Sequence, residues 1–273
     1  MPMRITNNVN SLNAQRNITK SQNGLGKALE RLSSGLRINR AGDDAAGLAI
    51  SEKLRSNIRA LNQAGRNASD GIALIQTTEG AMEEINNMLV RMKELAEQSA
   101  TGTVNTTERS YLNEEYQALR QEITRISDAT KFNDTNLLDG TLSIDLQVGV
   151  SNGGTDTIKV SVQDVSSTAL SLTSSISTVT NAKAALVAAS NAINTVSTRR
   201  SGLGSLQNRL ESIVNNIGTV VENLTGAESR IRDVDIAAET ASMTKYNILV
   251  QAGTSILAQA NQTPQVALQL IGG

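Results

Sequence analysis

The chain has 273 residues, 39% of them hydrophobic but only 1% aromatic, with 25 Lys/Arg, 26 Asp/Glu, no Cys and no His. These counts exclude a disulfide framework, thiolate or imidazole metal sites, a Cys nucleophile and a His base. The net charge of −1 gives no general attraction for nucleic acid. Residues 1–66 nevertheless hold eleven basic against four acidic residues. With no aromatics interleaved, that excess reads as complementarity within or between copies rather than as a nucleic-acid or membrane-binding arm.

Ile5 to Gln15 contains no charge, and Ile5, Val9 and Leu12 follow one another at helical steps. The start has no apolar core, so it does not read as a secretory signal peptide, and no apolar run is long enough to cross a membrane. Asp43-Asp44 suits a helix N-cap better than a metal pair, since no further ligand clusters with it. From about Asp44 to Ser99 the steps of four and three through Leu54, Ile58, Leu61, Ile72 and Ile75, then Met82, Ile85, Leu89, Met92 and Ala96, predict one helix roughly 80 Å long. Thr101-Gly102-Thr103 breaks it. Asn105 with Glu108 forms a capping-box pattern for a second helix over 105–129, and a connection this short makes the two antiparallel.

The period then switches to two. Leu142, Ile144, Leu146, Val148 and Val150 alternate with polar residues, Asn152-Gly153 supplies a turn, and Ile158, Val160 and Val162 alternate again, which predicts a β-hairpin at about 140–163. Residues 166–178 are rich in Ser and Thr and read as a surface linker with little to pack. A third helical stripe occupies 176–234 and includes Leu210, Ile213, Ile217, Leu224 and Ile231, with a stutter or kink expected at Arg199-Arg200-Ser201-Gly202 and the following Leu203-Gly204. The named apolar residues of the three long stripes are the expected bundle packing. The fold class is therefore mainly α, an elongated antiparallel coiled-coil-like bundle with a small β-hairpin.

Tyr246 to Gly273 carries no charge, while Ile248, Leu249, Ile256, Leu257, Leu268 and Leu270 alternate with Gln, Asn and Thr. A helix facing bulk water or a membrane surface normally carries charge on its polar face. An uncharged polar face suits burial among other subunits, so both ends are read as assembly elements: residues 1–44 and 236–273 as paired terminal helices, and 45–235 as the helical rod domain. No acid–base pair, catalytic residue, metal site or cofactor is indicated.

The run Leu32-Ser33-Ser34-Gly35-Leu36-Arg37-Ile38-Asn39-Arg40-Ala41-Gly42-Asp43-Asp44-Ala45-Ala46-Gly47-Leu48-Ala49-Ile50 resembles the N-terminal signature of bacterial flagellins. Ala227-Glu228-Ser229-Arg230-Ile231-Arg232-Asp233-Val234-Asp235, followed by Asn247 to Ala252 and Leu257 to Gln262, resembles its C-terminal counterpart. The resemblance implies a filament subunit of the flagellin fold without the family's outer domains, polymerising with itself into an open helical polymer. It also implies hook-associated and cap proteins, an export chaperone at the C-terminal segment, and an extracellular location reached through the flagellar export channel. A hook-filament junction protein shares these features and is the alternative. Leu89 to Gln98 is similar to the motif by which flagellins engage the Toll-like flagellin receptor, which points to Arg91, Leu95, Gln98 and Glu115. Read without the resemblance, these four are a packing leucine and a solvated helix face.

Overall fold

The computed structural model describes residues 8–151, 153–172 and 175–271, with 263–271 described for their helical backbone alone. Five helices are assigned among them: α1 (Val9–Ser34), α2 (Ala45–Ala100), α3 (Thr106–Ala129), α4 (Val179–Arg232) and α5 (Ile236–Ile271). Strands β1 (Lys131–Phe132) and β2 (Thr135–Asn136) pair antiparallel, as do β3 (Ser143–Gln147) and β4 (Thr157–Ser161). The chain divides into two compact units, Met1–Ser56 with Asn223–Gly273, and Asn57–Glu222. The division falls inside α2 and α4 and not at the loops that precede α2 and follow α4.

The helix starts obey local chemistry. Asp44 Oδ1 accepts the Gly47 amide at 2.8 Å and caps α2. Asn105 accepts the Glu108 amide at 2.9 Å while Glu108 accepts the Asn105 amide at 3.1 Å, a complete capping box at α3. Gly35, at φ 72°, closes α1 in the left-handed conformation and donates to Arg31 O at 2.9 Å, a geometry that disfavours any side chain.

Within the Asn57–Glu222 unit, α2 and α4 run antiparallel in a register visible from contacting residues. Arg200 lies 3.4 Å from Glu79 and 3.7 Å from Glu83, and a Cβ on Gly65 would touch Ile217 at 3.8 Å. In the same way α3 folds back on α2, where Arg91 meets Glu115 at 2.9 Å and Arg109 donates to Ser99 O at 2.8 Å. The core between them holds Leu74, Ile75, Met82, Ile85, Leu89, Met92, Tyr116, Ile123, Leu203 and Leu210. The β3–β4 hairpin lies over this core with Ile158 and Val160 buried, and Ile144 and Leu146 half-buried opposite them in register. Gly71 makes room for it, since a Cβ there would collide with the Leu146 side chain. Burial at roughly 25 cal/mol per Å² of apolar surface makes this core the main favourable term for the unit.

Two expectations need correction. The Ser/Thr-rich stretch is not an unpacked linker: Leu170, Leu172 and Ile176 are buried in the core. Both backbone groups of Ile176 are tied down, its N–H donating to Asn113 Oδ1 at 2.9 Å and its carbonyl accepting from the buried Ser99 hydroxyl at 2.6 Å. The hairpin turn is not a tight Asn-Gly turn but the connection 148–156, organised by Asp156, whose carboxylate accepts the Ser151 amide at 2.7 Å and whose carbonyl accepts the Val148 amide at 2.8 Å. Asn152 lies outside the described residues, and Val150 is exposed rather than inward-facing. At Arg199-Arg200-Ser201-Gly202, where a stutter or kink is expected but no break, α4 is continuous. Gly202 and Gly204 face open space while Leu203 between them is buried, so an anchored leucine holds the helix across two weak positions.

The β1–β2 hairpin was not foreseen. Asn133 and Asp134, at φ 47° and 61°, form its two-residue turn, the left-handed pair that a short hairpin demands and that Asn and Asp tolerate.

Candidate assembly surface

In the unit formed by the two chain ends, α1 and α5 pair antiparallel along most of their length. Asn8 donates to Ala260 O at 2.8 Å, Ser11 to Asn261 at 2.8 Å, and Arg31 meets Glu239 at 3.6 Å. Two glycines set the closeness of the pair. A Cβ on Gly24 would lie 2.6 Å from the Tyr246 ring, and one on Gly253 would lie 2.7 Å from Ile18. Each glycine is a notch that takes a large side chain of the opposite helix, which fixes both distance and register.

Past Gly35 the two chain segments clamp each other. Leu36 and Asp233 form a β-bridge, Arg37 N donates to Arg232 O at 2.6 Å, and Val234 N donates to Gly35 O at 3.0 Å. The Arg37 guanidinium reaches Ile231 O at 2.6 Å, and Arg232 pairs with Glu52 at 2.8 Å. Asp43 closes the loop by accepting the Asn39 and Arg40 amides at 3.3 and 3.1 Å, and these backbone hydrogen bonds hold its carboxyl below the usual carboxylate range.

The distribution of side chains is unusual for a water-facing helical pair. The inward positions are small or few: Ala14, Ile18 and Ala28 are buried, and Gly24 and Gly253 lie between the helices. Large apolar groups point outward, with Val9 61%, Leu12 53%, Leu29 50%, Ile248 59%, Leu249 42% and Ile256 59% exposed. Leu257 is half-buried. Exposed large apolar residues in this density mark a surface that another molecule covers. Of the expected assembly residues, Ile5 and the side chains of Leu268 and Leu270 lie outside the described residues. Among the expected packing residues, Ile75, Leu210 and Ile217 are buried, and Leu54, Ile58, Leu61, Ile72, Ile213, Leu224 and Ile231 are half-buried. Leu29, Ile50 and Ile236 are exposed apolar positions in this unit that sequence reading passed over.

The four residues implied for receptor recognition do not behave alike. Arg91 bridges Glu94 at 3.0 Å and Glu115 at 2.9 Å, and chiefly the Glu115 hydrogen bond raises its affinity for the proton further. Gln98 is exposed beside them on α2. Leu95 is 1% exposed and belongs to the core.

Elsewhere, a cavity of about 360 Å³ opens between α2 and the 148–156 connection, lined by Ala60, Gln63, Ala64, Asn67, Gln147, Gly149, Val150 and Ser151, with no titratable side chain. Among the described residues no group of three or more Asp or Glu could hold a metal ion, and no helix is long and apolar enough to cross a membrane.

A helical pair that turns its large apolar groups outward, carried by a chain whose other unit has a filled core, defines a subunit made for assembly into a larger structure. The chain matches the family models for the bacterial flagellin N-terminal helical region over residues 5–143 and the bacterial flagellin C-terminal helical region over residues 186–271. It is 50% identical over 271 residues to a flagellin of Halalkalibacterium halodurans, covering 98% of this chain and all of that one. The crystal structure of Bacillus cereus flagellin is similar at 32% identity and a TM-score of 0.51, over 56% of this chain and 88% of that one. A flagellar hook-associated protein structure from Vibrio parahaemolyticus shares the fold at 14% identity and a TM-score of 0.59, over 70% of this chain and 100% of that one. The chain belongs to the bacterial flagellins. It is a structural subunit of a flagellar filament, compact and without an outer domain, in a family that polymerises with itself.

Proposed function

We propose that residues 1–44 and 236–273, the α1–α5 pair, are the inner assembly element of the filament, and that 45–235 form its helical rod domain. The outward Val9, Leu12, Ile248, Leu249 and Ile256 carry this reading, because in the lone chain they stand in water. Copies that dock through unlike surfaces, without closing a ring, give an open helical polymer. On this reading the subunit works by burying its own ends between copies. It leaves the cell through the flagellar export channel without a cleaved signal, escorted by a chaperone on the C-terminal segment, and meets hook-associated and cap proteins at the ends of an extracellular filament. Deleting Tyr246 to Gly273 tests the reading. The truncated chain keeps the helical circular dichroism of its remaining helices and grows no filaments in electron micrographs; long filaments from it refute the proposal.

Recognition by the Toll-like flagellin receptor runs, on this reading, through the exposed Arg91, Gln98 and Glu115, with Leu95 supporting them from beneath. In a reporter-cell assay Arg91→Ala lowers potency by about tenfold, equivalent to the loss of about 1.4 kcal/mol of contact. Unchanged signalling by Arg91→Ala removes the residue from the interface.

A further inference from the structure

One exposed arc of α1 carries a stripe of its own. Val9, Leu12, Arg16, Lys20 and Lys27 follow at steps of three, four, four and seven residues, which keeps them within a narrow arc of the helix, and all five are exposed. The next cation on this side, Arg31, is held by Glu239 at 3.6 Å. Arg16 and Lys20 have no such partner among the described residues, and Lys27 acts on Asp43 only through its field.

The carboxylates of the same unit are largely engaged. Glu30 pairs with Arg40 at 2.9 Å and Glu52 with Arg232 at 2.8 Å, while Asp43, Asp44 and Asp235 accept backbone amides. Counted over the sequence, this unit holds twelve basic and eight acidic residues, and the Asn57–Glu222 unit holds thirteen basic and eighteen acidic. The two units therefore carry excesses of +4 and −5. Exposed carboxylates with no ion pair among the described residues stand on the second unit's helices, Glu84 and Glu97 on α2 and Glu114 and Asp128 on α3, the last two separated by two heptads.

We infer that the α1 stripe docks on a second copy of the chain, with Arg16, Lys20 and Lys27 meeting the free carboxylates of that copy's Asn57–Glu222 unit. This rests on the reading of the chain ends as the assembly element and adds its electrostatic partner. Val9 and Leu12 leave water only when a neighbour covers them, and the neighbour that covers them follows the same helix face onto Arg16 and Lys20. A cation taken out of water without a counter-charge is costly, so the covering surface must be acidic. The second unit of a neighbour has that charge in excess.

Charge exchange tests the assignment in the full-length chain, with the critical concentration for growth on wild-type seeds as the readout. At low salt, Arg16→Glu with Lys20→Glu and Lys27→Glu raises it by about tenfold or more, and Glu84→Lys with Glu97→Lys, Glu114→Lys and Asp128→Lys does the same. A chain carrying both sets, seeded with itself, returns to within about threefold of wild type. At 1 M salt, where the screening length is about 3 Å, the differences shrink. Unchanged helical circular dichroism confirms that each variant folds. The inference is overturned if the α1 reversal leaves growth unchanged, if the combined chain grows no better than the α1 reversal alone, or if wild-type chain sediments with phosphatidylglycerol vesicles and the α1 reversal does not. If wild-type chain itself never grows filaments, the assembly reading fails as well, so the two failures are distinguishable.

Discussion

The two units of this chain use the same helical alphabet in opposite ways. In the Asn57–Glu222 unit, α2, α3 and α4 point Leu89, Met92, Tyr116, Ile123 and Leu210 inward, and each is fully buried. In the unit of the chain ends, the buried apolar side chains among the described residues are Ala14, Ile18, Ala28 and Ile38, while Val9, Leu12, Ile248 and Ile256 face outward. On the assembly reading proposed above, one unit is complete as a monomer and the other only in company: apolar burial sets the stability of the first, whereas docking, and hence concentration, adds to that of the second.

Mutations should separate the two regimes. The largest effect on the lone chain is expected in the filled core: Leu89→Ala removes a fully buried side chain and costs about 2–5 kcal/mol, read as a lowered midpoint of thermal unfolding. A loss below about 0.5 kcal/mol, the range of ordinary surface substitutions, would break the contrast. Gly24→Ala acts on the other unit. Its Cβ would stand 2.6 Å from the Tyr246 ring, so the pair must open despite the helix-favouring alanine. The stability read from the main thermal transition stays within about 0.5 kcal/mol of wild type, while filament growth slows and proteolysis of the chain ends speeds up. Wild-type growth by this variant would show that the glycine notch does not set the pairing.

The smallest effect concerns acid. The folded-state pKa of Asp43 is depressed by the Asn39 and Arg40 amides. Its contribution is therefore present above the unfolded carboxylate value, about 3.9, and is lost as pH falls through the lower folded value. Protection of the Arg40 and Asn39 amides, measured as exchange relative to the intrinsic rate at each pH, should fall in that window, and Asp43→Asn should remove that fall. Protection that ignores pH there would mean that the carboxylate does not hold the loop.

The sequence made the long helices legible because their apolar residues recur every three or four positions over many turns, and because Asn105 with Glu108 marks a start by specific chemistry. Leu170, Leu172 and Ile176 escaped because they are sparse among Ser and Thr and share no period; at Ile176 the backbone is held by the Ser99 and Asn113 side chains, contributed from α2 and α3. Leu95, which the residues alone read as a packing leucine, is buried off the α2 stripe. Here α2 is covered from more than one side, so its buried arc is wider than the single stripe through Leu89, Met92 and Ala96. In the assembly site, the missing charge on both ends pointed to burial between copies. The outward turn of their large residues was not legible, because a helix of Gln, Asn, Ala and Leu offers no sharp polar edge by which to orient it.

The pairing of α1 with α5 brings Ser11 within 2.8 Å of Asn261, 250 positions away along a chain that contains no cysteine. Cysteines introduced at those two positions would be the molecule's sole thiols, and their oxidation would fasten its beginning to its end. Whether such a locked loop still joins a growing tip would reveal the order of events: either the ends meet first and then dock, or the tip itself brings them together.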